Sequence, residues 1–148
     1  MFASTHSPRS TGPGARSGLY RQVGISTSVD SASSHQLVAM LYDGLLESLA
    51  EAHNAIQQED VAAKCRALGR AARIVDEGLK AGLNLHASGA MGESLNRLYT
   101  YIFNRVLYAN LKSDAAAVQE CRRLVEPLRE AWMQIGAQVA AQPQKAAA

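Results

Sequence analysis

The residues of this sequence able to do acid–base, nucleophilic or metal chemistry are four histidines, two cysteines and thirteen carboxylates, and their spacing assembles no site. A metal site among helices would show inward carboxylates with Glu-x-x-His pairs one turn apart. No such pair occurs. His6, His35, His53 and His86 stand far apart, and Glu47, Glu51, Asp76, Glu77, Glu93, Glu120 and Glu130 fall off the apolar positions, on what reads as solvated face. His53 sits mid-helix, as the histidine of a phosphotransfer bundle does, but its surroundings, EAHNAIQQ, hold no lysine to stabilise a phosphoryl group. Cys65 and Cys121 form no CxxC pair; both fall where helical spacing wants an apolar side chain, and they read as small core hydrophobes in a reducing compartment. No phosphate-binding glycine loop is present. The expectation is a protein that is not an enzyme and uses neither metal nor cofactor.

The elements that hold these residues are helices of one domain. A chain of 148 residues with 47% hydrophobic content can build one ordinary core. Its 15 basic against 13 acidic side chains leave a net charge of +2, too little for the clustered basic surface that nucleic acid requires. No apolar run reaches signal-peptide or membrane-spanning length, so the sequence predicts a cytoplasmic protein without membrane insertion.

Residues 1–33 are dense in Ser, Thr, Gly and Pro and read as a mobile N-terminal arm. Within it Leu19, Tyr20, Val23 and Ile25 mark a docking segment at about residues 19–28. Residues 141–148 read as a disordered tail. Between these ends, 34–140 carries helical periodicity throughout. Helix 1 is expected over Ser34–Glu59, capped by Ser33 or Ser34, with Leu37, Leu41, Leu45, Leu49, Ala52 and Ile56 in one stripe. Helix 2 is expected over Val61–Leu85, capped by Asp60, through Val61, Cys65, Leu68, Ala72, Val75, Leu79 and Leu83. Its Gly69, Gly78 and Gly82 each cost up to about 1 kcal/mol relative to Ala, which suggests close approach by another helix or by a bound segment.

His86–Gly92 reads as a loop. Helix 3 follows through Leu95, Leu98, Tyr99, Ile102, Val106 and Ala109; helix 4 starts after Ser113 or Asp114 and runs through Val118, Cys121, Val125, Leu128, Trp132, Ile135 and Val139. Pro127 is expected to kink helix 4 without breaking it. Four helices joined by short loops favour an all-α, antiparallel up-down-up-down four-helix bundle. Tyr42, Leu46, Tyr101, Phe103, Leu107 and Tyr108 exceed the single stripe a bundle core needs. They either close a wide core or form a groove for an amphipathic partner.

Five segments, in order, resemble the FliS family of flagellin export chaperones, over roughly Tyr20 to Ile135. They are Tyr20–Ser28 (YRQVGISTS), Leu37–Gly44 (LVAMLYDG), Arg70–Leu79 (RAARIVDEGL), Leu98–Asn110 (LYTYIFNRVLYAN) and Leu128–Trp132 (LREAW). The family's Ser-Pro before helix 1 is replaced by Ser33-Ser34, and Pro127 just before LREAW is unusual in it.

The resemblance implies a cytosolic chaperone that binds the C-terminal segment of flagellin, prevents premature polymerisation and escorts it to the flagellar type III export gate. It implies a flagellin groove, for which Tyr42, Asp43, Leu46, Tyr101, Phe103, Leu107, Tyr108 and Asn110 are the candidate residues, with Asp43, Asn110 and the tyrosine hydroxyls fixing register. Tyr20, Val23 and Ile25 are the candidate placeholder that covers this groove in the absence of flagellin. The alternative is a helical adaptor or regulator that binds another flagellar regulatory protein through the same groove.

Overall fold

The computed structural model describes residues 33–141; the rest of the expected arm, including Tyr20, Val23 and Ile25, and the tail beyond Ala141 lie outside the described residues. Ser33 starts the first helix, α1 (Ser34–Gln57), with a reciprocal cap. Its Oγ accepts from the Gln36 amide at 3.2 Å, and Gln36 Oε1 accepts from the Ser33 amide at 2.8 Å. Two otherwise unpaired amides are satisfied this way, so the helix starts firmly without the proline.

Two joints of the same design then reverse the chain. Glu59 adopts a left-handed conformation at φ 57°, which lets the Asp60 amide bond the Ala55 carbonyl at 2.8 Å and close α1. Asp60 also caps α2 (Val61–Arg73), its Oδ1 accepting from the Ala63 amide at 3.0 Å. At the second joint Ser113 takes φ 51°, the Asp114 amide bonds the Ala109 carbonyl at 3.1 Å to close α3 (Gly89–Lys112), and Asp114 Oδ1 accepts from Ala116 and Ala117 at the start of α4 (Ala115–Ala141). An aspartate thus ends one helix and begins the next within a single residue.

The expected second helix is not uniform. After Arg73 it widens into a π-helical segment, Ile74–Lys80, and a turn at Ala81–Gly82 separates it from a single helical turn, Leu83–His86. The wider winding aligns residues five apart, and Ile74 and Leu79 are both fully buried. Glycine permits the contacts here: a Cβ on Gly78 would meet Leu41 Cδ2 at 2.9 Å, and one on Gly82 would meet the Gly78 carbonyl at 2.9 Å. Close helix packing therefore accounts for Gly78, whereas Gly69 faces open space. The α3 helix begins at Gly89, three residues before the expected loop ends.

The expected stripe of helix 2 holds from Leu68 through Ala72, Val75, Leu79 and Leu83, all buried, but not at its start: Val61 is 61% exposed and Cys65 is exposed, and Lys64, Ala67 and Ala71 face inward as well. Lys64 occupies an inward position because the C-terminal end of α3 receives its ammonium: Nζ donates to the Asn110 carbonyl at 2.9 Å and to Ser113 Oγ at 2.7 Å. A cation at a helix C-terminus is favoured by the unpaired carbonyls there. Cys121 is buried as expected, and burial pushes its thiol up to about 12.

Side-chain pairs fix the four helices as antiparallel neighbours around a square. Arg70 of α2 reaches Ser48 of α1, Lys64 of α2 reaches the end of α3, Arg105 of α3 meets Glu120 of α4, and Asp43 of α1 pairs with Arg129 of α4. Up-down-up-down order follows. Leu41, Leu45 and Leu49 meet Leu68, Ile74, Val75, Leu79, Ile102, Val106, Val118 and Val125 in one core. Across its diagonal, the Tyr42 and Tyr99 hydroxyls bond each other at 2.5 Å, both rings being buried. Pro127 leaves α4 unbroken; its ring is exposed, and so is Arg123, whose carbonyl loses the amide partner on the side open to water.

Candidate functional site

The inner stripe of α3 (Leu95, Tyr99, Ile102, Val106 and Ala109) packs into the bundle and turns the opposite face of the helix outward. On that face Tyr101, Leu107, Tyr108 and Leu111 are 45, 46, 41 and 78% exposed, the densest run of large exposed apolar side chains among the described residues. Contiguous exposed apolar surface of this kind is the chemistry that interaction faces use.

Two of its aromatics are fixed by α4. Tyr101 donates its hydroxyl to Glu120 Oε2 at 2.6 Å, and Arg105 Nε donates to Glu120 Oε1 at 2.7 Å. The Arg105 guanidinium lies 4.7 Å from the centre of the Tyr108 ring, in the attractive face-on arrangement of a cation and an aromatic. Glu120 thus uses both oxygens, and the bonds from Tyr101 and then Arg105 hold its carboxyl below the usual value. The same Tyr101–Glu120 bond raises the tyrosine hydroxyl above its usual value. One ion pair therefore ties two half-exposed tyrosines into set positions. Large side chains ordered before contact lose little further entropy on binding, which makes them efficient anchors.

The structure divides the eight candidate groove residues. Tyr101, Leu107 and Tyr108 share the outer face of α3. Phe103 and Leu46 are half-buried and pack against the core. Tyr42 is 2% exposed and spends its hydroxyl on Tyr99; burial raises both tyrosines above their ordinary values. Asp43 is exposed on α1 in its pair with Arg129. Asn110 gives its backbone carbonyl to Lys64, while its Oδ1 is buried without a partner. The residues of α1 and those of α3 lie on different sides of the bundle and do not form one groove.

A second feature occupies the end of the bundle where α1 begins. The His35 ring stacks on Trp132 at 4.5 Å and 6°, its Nε2 bonded to the Trp132 carbonyl at 2.8 Å, while Trp132 Nε1 donates to the His35 carbonyl at 2.9 Å. His86 meets the same indole edge-on at 5.5 Å. Only a glycine allows the stack, since a Cβ on Gly136 would lie 2.2 Å from His35 Cε1. Beside it runs a mainly apolar groove of about 490 Å³, lined by Ser33, His35, Gln36, Ala39, Met133, Gly136 and Ala137.

Among the described residues no group of three or more His, Cys, Asp or Glu could hold a metal ion, and no helix is long and apolar enough to cross a membrane. The profile of the family described as flagellar protein FliS matches residues 16–139. The chain belongs to the FliS family. Similar proteins include the flagellar secretion chaperone FliS of Salmonella typhimurium, 45% identical over 116 residues that cover 78% of this chain and 86% of the relative. That of Escherichia coli is 36% identical over 113 residues, covering 76% and 83%, and that of Bacillus subtilis is 32% identical over 107 residues, covering 72% and 78%.

FliS is thus a family of flagellar secretion chaperones and not of enzymes. The match covers α1, α2, α3 and α4 as far as residue 139, so both features lie within the matched residues. Sequence reasoning missed Leu111, Arg105 and Glu120. Leu111 was findable from its spacing with Tyr101 and Tyr108. Glu120 was not, because its partners come from another helix and depend on how the two helices are set against each other.

Proposed function

We propose that this protein is a cytoplasmic export chaperone that binds the C-terminal segment of flagellin, prevents its premature polymerisation and delivers it to the flagellar type III export apparatus. One observation carries the reading: a chain of the flagellar secretion chaperone family presents Tyr101, Leu107, Tyr108 and Leu111 outward on α3, with its tyrosines tied down by Arg105 and Glu120. Each apolar side chain covered there contributes on the order of 1 to 3 kcal/mol at best. Ordering a flexible segment costs roughly 2 to 5 kcal/mol or more, so flagellin must cover further surface as well.

The groove at His35 and Gly136 is suited to the segment at 19–28. Four residues, 29–32, join that segment to Ser33 on the groove's rim, and the five steps from 28 to 33 span at most about 18 Å when extended. Tyr20, Val23 and Ile25 would act there as a tethered placeholder that flagellin displaces.

The full chain mixed with a flagellin C-terminal fragment is expected to elute from gel filtration as a 1:1 complex, and Tyr108→Glu is expected to weaken it. No binding at micromolar concentrations refutes the reading. A complex formed instead with another flagellar regulatory protein would favour the adaptor alternative.

A further inference from the structure

The α1–α2 joint and the α3–α4 joint meet at one end of the bundle around a cavity of about 350 Å³. Lys64 and Ser113 both line it, and their Nζ and Oγ bond each other at 2.7 Å. Lys64 is 6% exposed, yet among the described residues its ammonium meets only neutral acceptors, Ser113 and the Asn110 carbonyl at 2.9 Å. None of the ion pairs among those residues includes it. An ammonium carries three N–H donors and a hydroxyl one O–H. One donor of Lys64 and the hydroxyl proton of Ser113 are therefore unspent, side by side, at a buried positive charge.

Ala55, Ile56 and Val61 make the rest of the lining aliphatic apart from two carboxylates, Glu59 and Asp60. Asp60 spends Oδ1 on the Ala63 amide, and Glu59 is exposed. Val61, at 61% exposure, is a large apolar side chain that nothing covers.

We propose that this cavity receives the C-terminal carboxylate of a polypeptide whose last side chain is aliphatic. A buried charge calls for a counter-charge, and the two oxygens of a carboxylate match the two unspent donors. Those groups donate and cannot coordinate a cation. A single negative charge suits a single ammonium, whereas a phosphate would bring a second charge toward Glu59 and Asp60. The last side chain covers Val61 and Ile56, so charge and apolar area are recognised together, as in other sites that capture a chain end. The site stands on the cavity alone. Its use by flagellin rests on the reading proposed above: Leu111 of the exposed face lies two residues before Ser113, so a C-terminal segment running along that face toward the end of α3 finishes at the cavity.

The test is titration of the isotopically labelled full chain with N-acetyl-leucine, followed by NMR, to about 20 mM, which brackets the low-millimolar affinity of so small a ligand. Saturable shifts of the Val61, Lys64 and Ser113 amides are expected. N-acetyl-leucinamide, which lacks the charge, and acetate, which lacks the side chain, should each bind at least about tenfold more weakly. Lys64→Met should abolish the shifts, and so should Val61→Glu, a change at an exposed side chain that leaves the core intact. No saturable shift, equal binding of the amide or of acetate, or binding indifferent to Val61→Glu overturns the site. A flagellin C-terminal fragment with a free C-terminus should bind at least about tenfold more tightly than the same fragment amidated. Equal affinity overturns the use of the cavity by flagellin, and a fragment that binds in neither form overturns the flagellin reading while leaving the site standing.

Discussion

Glycine placed at the two helix joints should have opposite effects, although the joints share one backbone design. Glu59 and Ser113 are the non-glycine residues with positive φ among those described, at 57° and 51°. The left-handed conformation costs an L-residue roughly 1–2 kcal/mol, and glycine's extra freedom in the unfolded chain takes back roughly 0.5–1 kcal/mol of any gain. The Glu59 side chain is exposed and the joint is held by backbone bonds, so Glu59→Gly should stabilise by about 0.5–1 kcal/mol.

Ser113→Gly gains the same relief but removes Oγ, which accepts from the buried Lys64 ammonium at 2.7 Å. A hydrogen bond to a charged group contributes about 1.5–3 kcal/mol, so the net effect should be a loss of about 1 kcal/mol. Urea unfolding followed by circular dichroism separates the two as opposite midpoint shifts at constant slope. In a Lys64→Met background the loss should disappear and Ser113→Gly should stabilise as Glu59→Gly does. The reasoning is refuted if Ser113→Gly stabilises the unaltered chain as much as Glu59→Gly does, or if its effect is the same with and without Lys64.

Three further outcomes follow from the buried pairs. Tyr42→Phe or Tyr99→Phe alone leaves one hydroxyl buried without its partner and should destabilise by about 1–3 kcal/mol, whereas the double substitution should cost less than the sum, read from the same urea titrations. Burial lowers the His86 imidazole below its ordinary 6.5, with the Gly82 backbone opposing, so folding favours the neutral ring. The stability it lends is complete above pH 6.5 and declines as pH falls through that value toward the lower folded one; melting temperature measured from pH 8 to 5.5 should drop, and His86→Phe should flatten the drop. Gly136→Ala drives a methyl into the His35 ring and should shift the emission of Trp132, the single tryptophan, with a loss of about 1–3 kcal/mol; unchanged fluorescence would mean that the stack does not persist in solution.

The bundle was legible because periodicity in one strand of text reports which face of a helix is buried, and the stripes of α1 and α3, and of α4 as far as Trp132, are regular; Ile135, expected in the α4 stripe, is 46% exposed. It was incomplete in the second helix, where Val61 and Cys65 are exposed and two local devices add residues to the core. Lys64 enters the core since the end of another helix receives its charge, and the π segment widens the winding so that Ile74 is buried along with the expected Val75 and Leu79. Both depend on neighbours that a single helix's sequence does not mention.

The surplus apolar residues show the same limit from the other side. Sequence alone left them either closing a wide core or forming a groove; the structure buries Tyr42 and leaves Tyr101, Leu107 and Tyr108 exposed. Tyr42 fills the diagonal of the core against Tyr99, since four helices around a square leave a gap at the centre that large side chains must close. Tyr101 and Tyr108 stay outside, although their type and spacing resemble those of Tyr99. What separates them is angle: Tyr101 lies two residues past Tyr99, about 200° round the helix, and so points away from the core. Glu120 and Arg105 then hold Tyr101 and Tyr108 at the surface, using charges that read as mere solvated face. The buried and the exposed face of α3 are thus written with the same residue types in the same helix, and the two-residue offset between Tyr99 and Tyr101 tells them apart.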